Sequence, residues 1–274
     1  MIRIIGILIG LFFTYSVLVA FGTGASTVMS QGYLVEPTVE HEFHEKELMD
    51  VEFASDGVFG HFDRQQLQRG FQVYQEVCSV CHSLSYVAFR DLEQLGYNED
   101  EIEAIADDFQ VPAYDPSTGE VNVADGVPTD NFPPVPYVGT GNPPDLSLIT
   151  KARHGGGAYI YSLLLGYQDV PEEQLLQFED SAPGQGLFYN PYFANLNIAM
   201  APPLIEGIVT YQDGTEASTE QMAKDVSAFL VWTAEPTLEK RYQTGWPVMG
   251  FLLFATILAY LAYRNIWADK KKKA

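Results

Sequence analysis

Cys78-Ser79-Val80-Cys81-His82 holds both cysteines of the 274-residue chain, and its reading decides the fold. Two thiols one helical turn apart can add across the two vinyl groups of a single haem. The residue after the second thiol then places an imidazole beneath the iron. C-x-x-C-H is therefore the attachment pattern of a c-type haem, with His82 as the proximal ligand. Two cysteines three apart exclude a disulfide scaffold. A thioredoxin-type thiol pair would follow a strand and open a helix. Here the motif closes a helix instead: Asp63 can cap it, and Leu67, Phe71, Tyr74 and Cys78 recur at i, i+4, i+7 and i+11. Structural zinc would need two more ligands at suitable spacing.

An electron-transfer haem takes a sixth ligand, because an open iron position reacts with small molecules. His41, His44, His61, His154 and the methionines are the candidates. Met200 stands in Asn197-Ile198-Ala199-Met200-Ala201-Pro202-Pro203-Leu204, where two prolines fix the backbone just beyond it. Met222 reads as a core residue on a helix, Met249 lies in an apolar span, and Met1, Met29 and Met49 precede the haem segment. Elimination favours Met200 and leaves the four histidines open. A thioether ligand raises the reduction potential.

Outward from the motif, the chain is bracketed by two apolar stretches. Ile4 to Phe21 is almost entirely aliphatic or aromatic, and residues 242–263 carry no charge. The second stretch makes a helix of about 33 Å, enough to cross a hydrocarbon core. Trp246 and Trp267 flank it, and Arg264 and Lys270 to Lys273 follow. Positive residues stay cytoplasmic, which predicts an internal C-terminus and an exported domain before it. The expected division is 1–25 as signal peptide or N-terminal anchor, 26–58 as an acidic linker, 59–240 as the exported domain, 242–266 as a transmembrane helix and 267–274 as a basic tail.

Residues 36–241 hold 35 acids against nine bases, a formal charge of −26 where the whole chain has −21. Nucleic acid is excluded as a partner, because phosphate binding needs a basic footprint. The acidic surface is either a solubilising face or a field for a basic partner. Ser218-Thr219-Glu220-Gln221 is a capping box for a closing helix with Val226, Phe229, Leu230 and Thr233 on one face and Pro236 after it. This helix is expected to cross the first one at Gly70, with Phe229 or Trp232 as the large partner. Residues 98–217 are broken by prolines and predicted to be mostly irregular, apart from a helix at about 157–168.

With these features in place, the chain resembles the cytochrome c1 family from about Phe59 to Ala268. The resemblance rests on Arg69-Gly70-Phe71-Gln72-Val73-Tyr74, Pro143-Pro144-Asp145-Leu146-Ser147, Ala152-Arg153-His154-Gly155-Gly156, Asn190-Pro191-Tyr192-Phe193, Tyr211-Gln212-Asp213-Gly214-Thr215 and Ala234-Glu235-Pro236. It implies a mainly α, class I cytochrome c-like haem domain with long irregular loops and a C-terminal transmembrane helix. It implies one covalent haem c on Cys78 and Cys81, with His82 and Met200 as axial ligands and Arg153 facing a propionate. Tyr159, Pro143 and Pro144 would line the pocket. No catalytic nucleophile or base is implied: the chain would be the electron-carrying subunit of a quinol–cytochrome c oxidoreductase. Its partners would be cytochrome b, the Rieske iron–sulfur protein, a cytochrome c acceptor and the lipid bilayer, in a dimeric complex. The N-terminal segment is not Arg-rich like a transit peptide, which points to a bacterial cell membrane with the haem domain in the periplasm. The rival functions are a membrane-anchored c-type cytochrome of a terminal oxidase and an anchored thiol–disulfide oxidoreductase. One departure is plain: many bacterial relatives carry a second cysteine pair in the loop before the methionine ligand, and this chain has none.

Overall fold

The computed structural model describes residues 2–31, 38–45, 47–114, 116–136, 139 and 141–271. Helix dominates, as the mainly α reading expects. Helix α1 (Ile2–Gln31) is apolar on every side, and the most apolar 18 residues of its stretch Arg3–Ser30 have a mean hydropathy of 2.5 with none of them buried against protein. A helix apolar all round and left unpacked has the character of a membrane segment. A short α2 (Val39–Phe43) follows.

The haem-bearing part begins with α3 (Arg64–Val73). Asp63 caps it by accepting from the backbone amides of Gln65 and Gln66. It is followed by α4 (Glu99–Asp107), the hairpin of β1 (Gln110–Tyr114) and β2 (Val121–Asp125), and the short α5 (Ile149–Ala152). Next come α6 (Gly156–Leu165), α7 (Glu172–Gln177), and the paired two-residue strands β3 (Phe188–Tyr189) and β4 (Asn197–Ile198). Helix α8 (Thr219–Ala234) closes the domain, capped by Ser218 Oγ on the Gln221 amide at 3.2 Å.

Helices α3 and α8 cross at Gly70. A Cβ there would stand 2.1 Å from the Asp225 carbonyl oxygen and 2.7 Å from Phe229 Cβ. Only glycine allows that approach, and Phe229 is the large partner. Beside the crossing, the fully buried Asp225 carboxylate accepts from Arg69 Nε at 2.8 Å, Gln66 Nε2 at 3.1 Å and Gln221 Nε2 at 2.8 Å. A buried carboxylate is tolerated because a guanidinium and two amides satisfy it. Phe71, Tyr74, Phe89, Phe132, Phe229 and Trp232 form one aromatic core around the crossing.

Three features differ from the sequence reading. Helix α4 and the hairpin lie inside the stretch predicted to be irregular. The helix forms because Asn98 and Glu101 cap each other reciprocally and Ile102 and Ala106 are buried under an otherwise acidic surface. The hairpin tolerates Pro112 because a two-stranded ribbon leaves one edge of each strand unpaired. Residues 47–58, placed in the linker by composition, are laid over α6. Met49 and Val51 pack against the core and Phe53 is buried in it. The Met49 amide donates to Ser162 Oγ at 2.9 Å. Apolar residues at every second position, between Asp50 and Glu52, give an extended segment one inward face.

Helix α9 (Leu238–Lys271) begins four residues before the predicted span and runs through Pro247. Within its stretch Leu238–Ala268 the most apolar 18 residues have a mean hydropathy of 1.8 and none of them is buried, so the helix is long and apolar enough to cross a membrane. Glu235 pairs with Lys151 and Arg241 at the junction, and Trp246 stacks on Phe59 at 5.3 Å. Lys272 and Lys273 of the predicted basic tail, and residues 32–37 and 46 of the predicted linker, lie outside the described residues.

Candidate haem site

Helix α3 continues into a single π turn, Tyr74–Cys78, in which the Ser79 amide donates to the Tyr74 carbonyl at 2.8 Å. Such turns inside helices mark functional sites. The chain then tightens, with the Cys81 and His82 amides both donating to the Cys78 carbonyl at 3.1 and 2.8 Å. This turn sets Cys81 and His82 one turn of chain after Cys78. Both thiols are unpaired and half-buried. Burial and the neighbouring Cys81 push the Cys78 thiol up to about 12. A thiol–disulfide catalyst works through a depressed thiol, so this site does not suit exchange chemistry. Among the described residues, no group of three or more His, Cys, Asp or Glu could hold a metal, which removes the zinc alternative there.

His82 Nδ1 lies 2.8 Å from the Pro144 carbonyl oxygen. A carbonyl only accepts, so Nδ1 carries the proton and Nε2 presents its lone pair. That is the tautomer a metal ligand requires. Burial lowers the imidazole pKa, against the opposing pull of the Pro144 carbonyl and Asp145, and keeps the ring neutral. The Tyr74 hydroxyl donates to the His82 carbonyl at 3.0 Å.

Asp145 holds Pro144 in place. Its Oδ2 accepts from Ser83 Oγ at 2.9 Å and the Ser85 amide at 2.8 Å, and its Oδ1 from the Ser147 amide at 2.8 Å. Burial alone would raise the Asp145 carboxyl, but hydrogen bonds from Ser147 and Ser85 outweigh it and hold it below the usual range. The Leu146 amide adds a bond to the Ser83 carbonyl at 2.9 Å. Pro144 was assigned to the pocket wall by resemblance. Its carbonyl as the orienting group for His82, and Asp145 as the bolt behind it, were not anticipated. The available signal was an acidic residue directly after two prolines and two residues before a serine.

Met200 is half-buried and lies two residues beyond β4. The Tyr167 hydroxyl donates to its carbonyl at 3.0 Å. Next to it, Ala199 passes the loop that leads to Pro143 and Pro144: a Cβ built on Gly141, at φ +87°, would stand 3.2 Å from Ala199 Cβ. The segment that leads to Met200 and the loop that leads to the His82-orienting carbonyl therefore approach each other at Ala199 and Gly141. The competing candidates are placed less well. His41, His61 and His154 are exposed, Met222 is buried in α8, Met249 lies in α9 and Met29 in α1. His44 is half-buried at the end of α2.

Arg153 sits between α5 and α6, exposed, with its Nη1 on the Ala152 carbonyl at 3.2 Å. It has no ion pair among the described residues. Its charge acts on the Tyr159 phenol, opposing the rise that burial causes there. These two residues are thus neighbours, but hydrogen bonds among the described residues do not join them to His82 or Met200.

Two unpaired thiols in C-x-x-C spacing, an imidazole with Nε2 presented and a half-buried thioether beyond β4 fit a covalently attached haem c. Residues 53–270 match the Cytochrome C1 family. The chain is 42% identical over 233 residues to cytochrome c1 of Rhodospirillum rubrum, covering 78% of this chain and 85% of that one. It is 37% identical over 261 residues to a mitochondrial cytochrome c1 heme protein of Solanum tuberosum, covering 92% and 96%. It is 41% identical over 236 residues to cytochrome b/c1 of Bradyrhizobium diazoefficiens, covering 78% of this chain and 34% of that longer protein. On the haem-attachment geometry and a match over most of its length, this chain belongs to the cytochrome c1 family.

Proposed function

We propose that this chain is the high-potential electron relay of a quinol–cytochrome c oxidoreductase, taking electrons from the Rieske iron–sulfur protein and passing them to a cytochrome c. The observation that carries the reading is His82 Nδ1 on the Pro144 carbonyl, which leaves the Nε2 lone pair free for a metal. Cys78 and Cys81 would hold the haem through thioether links, and His82 Nε2 and Met200 Sδ would ligate its iron. Haem c supplies one-electron chemistry at its iron when bound. The residues around it would position and tune: Asp145 fixes the Pro144 carbonyl, and Arg153 would pair with a propionate. Tyr159, Pro143 and Pro144 wall the pocket. No side chain has to move a proton or attack a bond, so no general base or nucleophile is required.

The membrane arrangement follows from α1, α9 and the charges beyond them. Residues 59–240, with Met49, Val51 and Phe53 packed onto them, form the exported haem domain, 242–266 the spanning segment and 267–274 a cytoplasmic tail, in a bacterial cell membrane with the haem on the periplasmic side. Residues 1–25 serve as export signal or second anchor, and residues 26–58 lead from it. Cytochrome b is the membrane partner, and the similarity to cytochrome b/c1 of Bradyrhizobium diazoefficiens supports it. The complex is a dimer. The charge of −26 over residues 36–241 favours a basic acceptor.

Purification from native membranes tests this reading. Co-purification with a b-type cytochrome and an iron–sulfur protein is expected, with a c-type spectrum that survives acid–acetone extraction. Isolation with a copper-containing terminal oxidase would replace it with the oxidase reading.

A further inference from the structure

The strand that carries Met200 is fixed on both sides by different means. Before it, the β3–β4 pairing sets Phe188 opposite Ile198 and Tyr189 opposite Asn197. The buried Asn190 donates its amide to the Leu196 carbonyl at 2.7 Å, and its Nδ2 to the Leu163 carbonyl at 2.7 Å. Leu196 sits at φ 65°, a left-handed conformation that a leucine adopts only when its surroundings impose it. These bonds fix the backbone as far as Ile198. After Met200, Pro202 and Pro203 restrict it again. No disulfide stiffens the loop, because both cysteines are in the attachment motif.

Between those limits, the bond that reaches Met200 itself comes from the Tyr167 hydroxyl, 3.0 Å from the Met200 carbonyl oxygen. Tyr167 leaves α6 from a rigid point. Gly166 is packed so closely that a Cβ there would stand 2.5 Å from Tyr192 Cδ2 and 2.9 Å from Asn190 Oδ1. Anchoring a carbonyl oxygen limits rotation about the Cα–C bond of the same residue, the soft dihedral that relates its peptide plane to its Cα–Cβ bond.

We propose that Tyr167 is the positioning residue for Met200: its hydroxyl holds the Met200 carbonyl so that the thioether faces the iron opposite His82. The assignment rests on Met200 being the sixth ligand.

The test compares Tyr167→Phe, Tyr189→Phe and Met200→Leu with the unmodified protein, each in the complex purified from membranes. Tyr189 lines the same cleft as Tyr167, a space of about 460 Å³ that also includes Pro202. Three quantities are read: the thioether-to-iron charge-transfer absorption of the ferric form, the midpoint potential, and carbon monoxide binding to the ferrous form. Tyr167→Phe keeps the ring and removes only the donor. It is expected to keep covalent haem, weaken the charge-transfer absorption, lower the potential and bind carbon monoxide roughly tenfold faster, the scale of one lost hydrogen bond. Tyr189→Phe is expected to leave all three unchanged. An unaltered absorption and potential in Tyr167→Phe would overturn the positioning role, as would equal losses in both tyrosine variants. If Met200→Leu leaves the absorption and potential intact, the ligand assignment itself fails, whatever Tyr167 does. Should Tyr167→Phe not accumulate, 3-fluorotyrosine at position 167 changes the donor strength at almost constant shape. A shifted potential then supports the role, and an unshifted one overturns it.

Discussion

Asp145 is the fixed point beneath His82, although the two side chains act on each other through the Pro144 carbonyl. The carboxylate gathers one hydroxyl and two backbone amides, and the carbonyl one residue earlier takes the imidazole proton at 2.8 Å. Ligand orientation is thus transferred to a loop whose conformation is set by a single charge.

Asp145→Asn should destabilise the domain by about 1–3 kcal/mol at neutral pH, the range for charge-assisted hydrogen bonds, with the lower end favoured by its partial exposure to solvent. The sign with pH follows from its lowered native pKa. The contribution is complete above the unfolded value of about 4 and disappears as pH falls through the native value. Urea titrations at pH 7 and below pH 4 should show the gap between variant and parent closing in acid. A gap that is constant with pH would mean that the carboxylate charge is not what holds the loop.

Gly70→Ala should be among the most damaging single-methyl changes in the molecule. Its Cβ would meet backbone at 2.1 Å, so α3 and α8 must separate rather than a side chain swing aside. The expected cost is about 3 kcal/mol or more, at the upper end of overpacking. Thermal unfolding of the purified complex and the yield of haem-loaded protein measure it.

Asp225→Ala should cost about 3–5 kcal/mol, because it takes the buried acceptor from the Gln66 and Gln221 amides and leaves Arg69 only its exposed partner Asp213. Asp213→Ala removes the other, exposed partner of the same guanidinium and should change stability little. Comparing their denaturation midpoints separates the buried bond from the surface one. Equal effects would mean that burial at the helix crossing is not decisive.

Electron delivery to a basic cytochrome c should slow steeply between low and moderate salt, as the Debye length falls to about 8 Å near physiological strength. Glu99, Asp100, Glu103 and Asp107 are exposed on α4 and can be neutralised together without touching the Asn98–Glu101 cap. Stopped-flow oxidation of the reduced complex should then show a flatter salt slope. An unchanged slope would move the docking face away from α4.

Cys78, Cys81 and His82 were legible because covalent attachment depends on spacing within one turn, which the sequence states directly. The caps at Asp63 and Ser218 and the apolar lengths of α1 and α9 were legible for the same reason: each depends on neighbours within a few residues or on composition alone. Met200 could be reached by elimination and by its prolines, but not the hydroxyl that meets it from 33 residues earlier in the chain. Neither could the carbonyl 62 residues after His82 that selects its tautomer. Helix α4 was hidden because its acidic surface masks two buried positions, Ile102 and Ala106, and residues 47–58 because their inward face alternates with acids. Local spacing determined which atoms can bind the haem and which segments can enter a membrane. Tertiary packing decided which way those atoms point, because a hydrogen bond between distant segments leaves no period in the sequence.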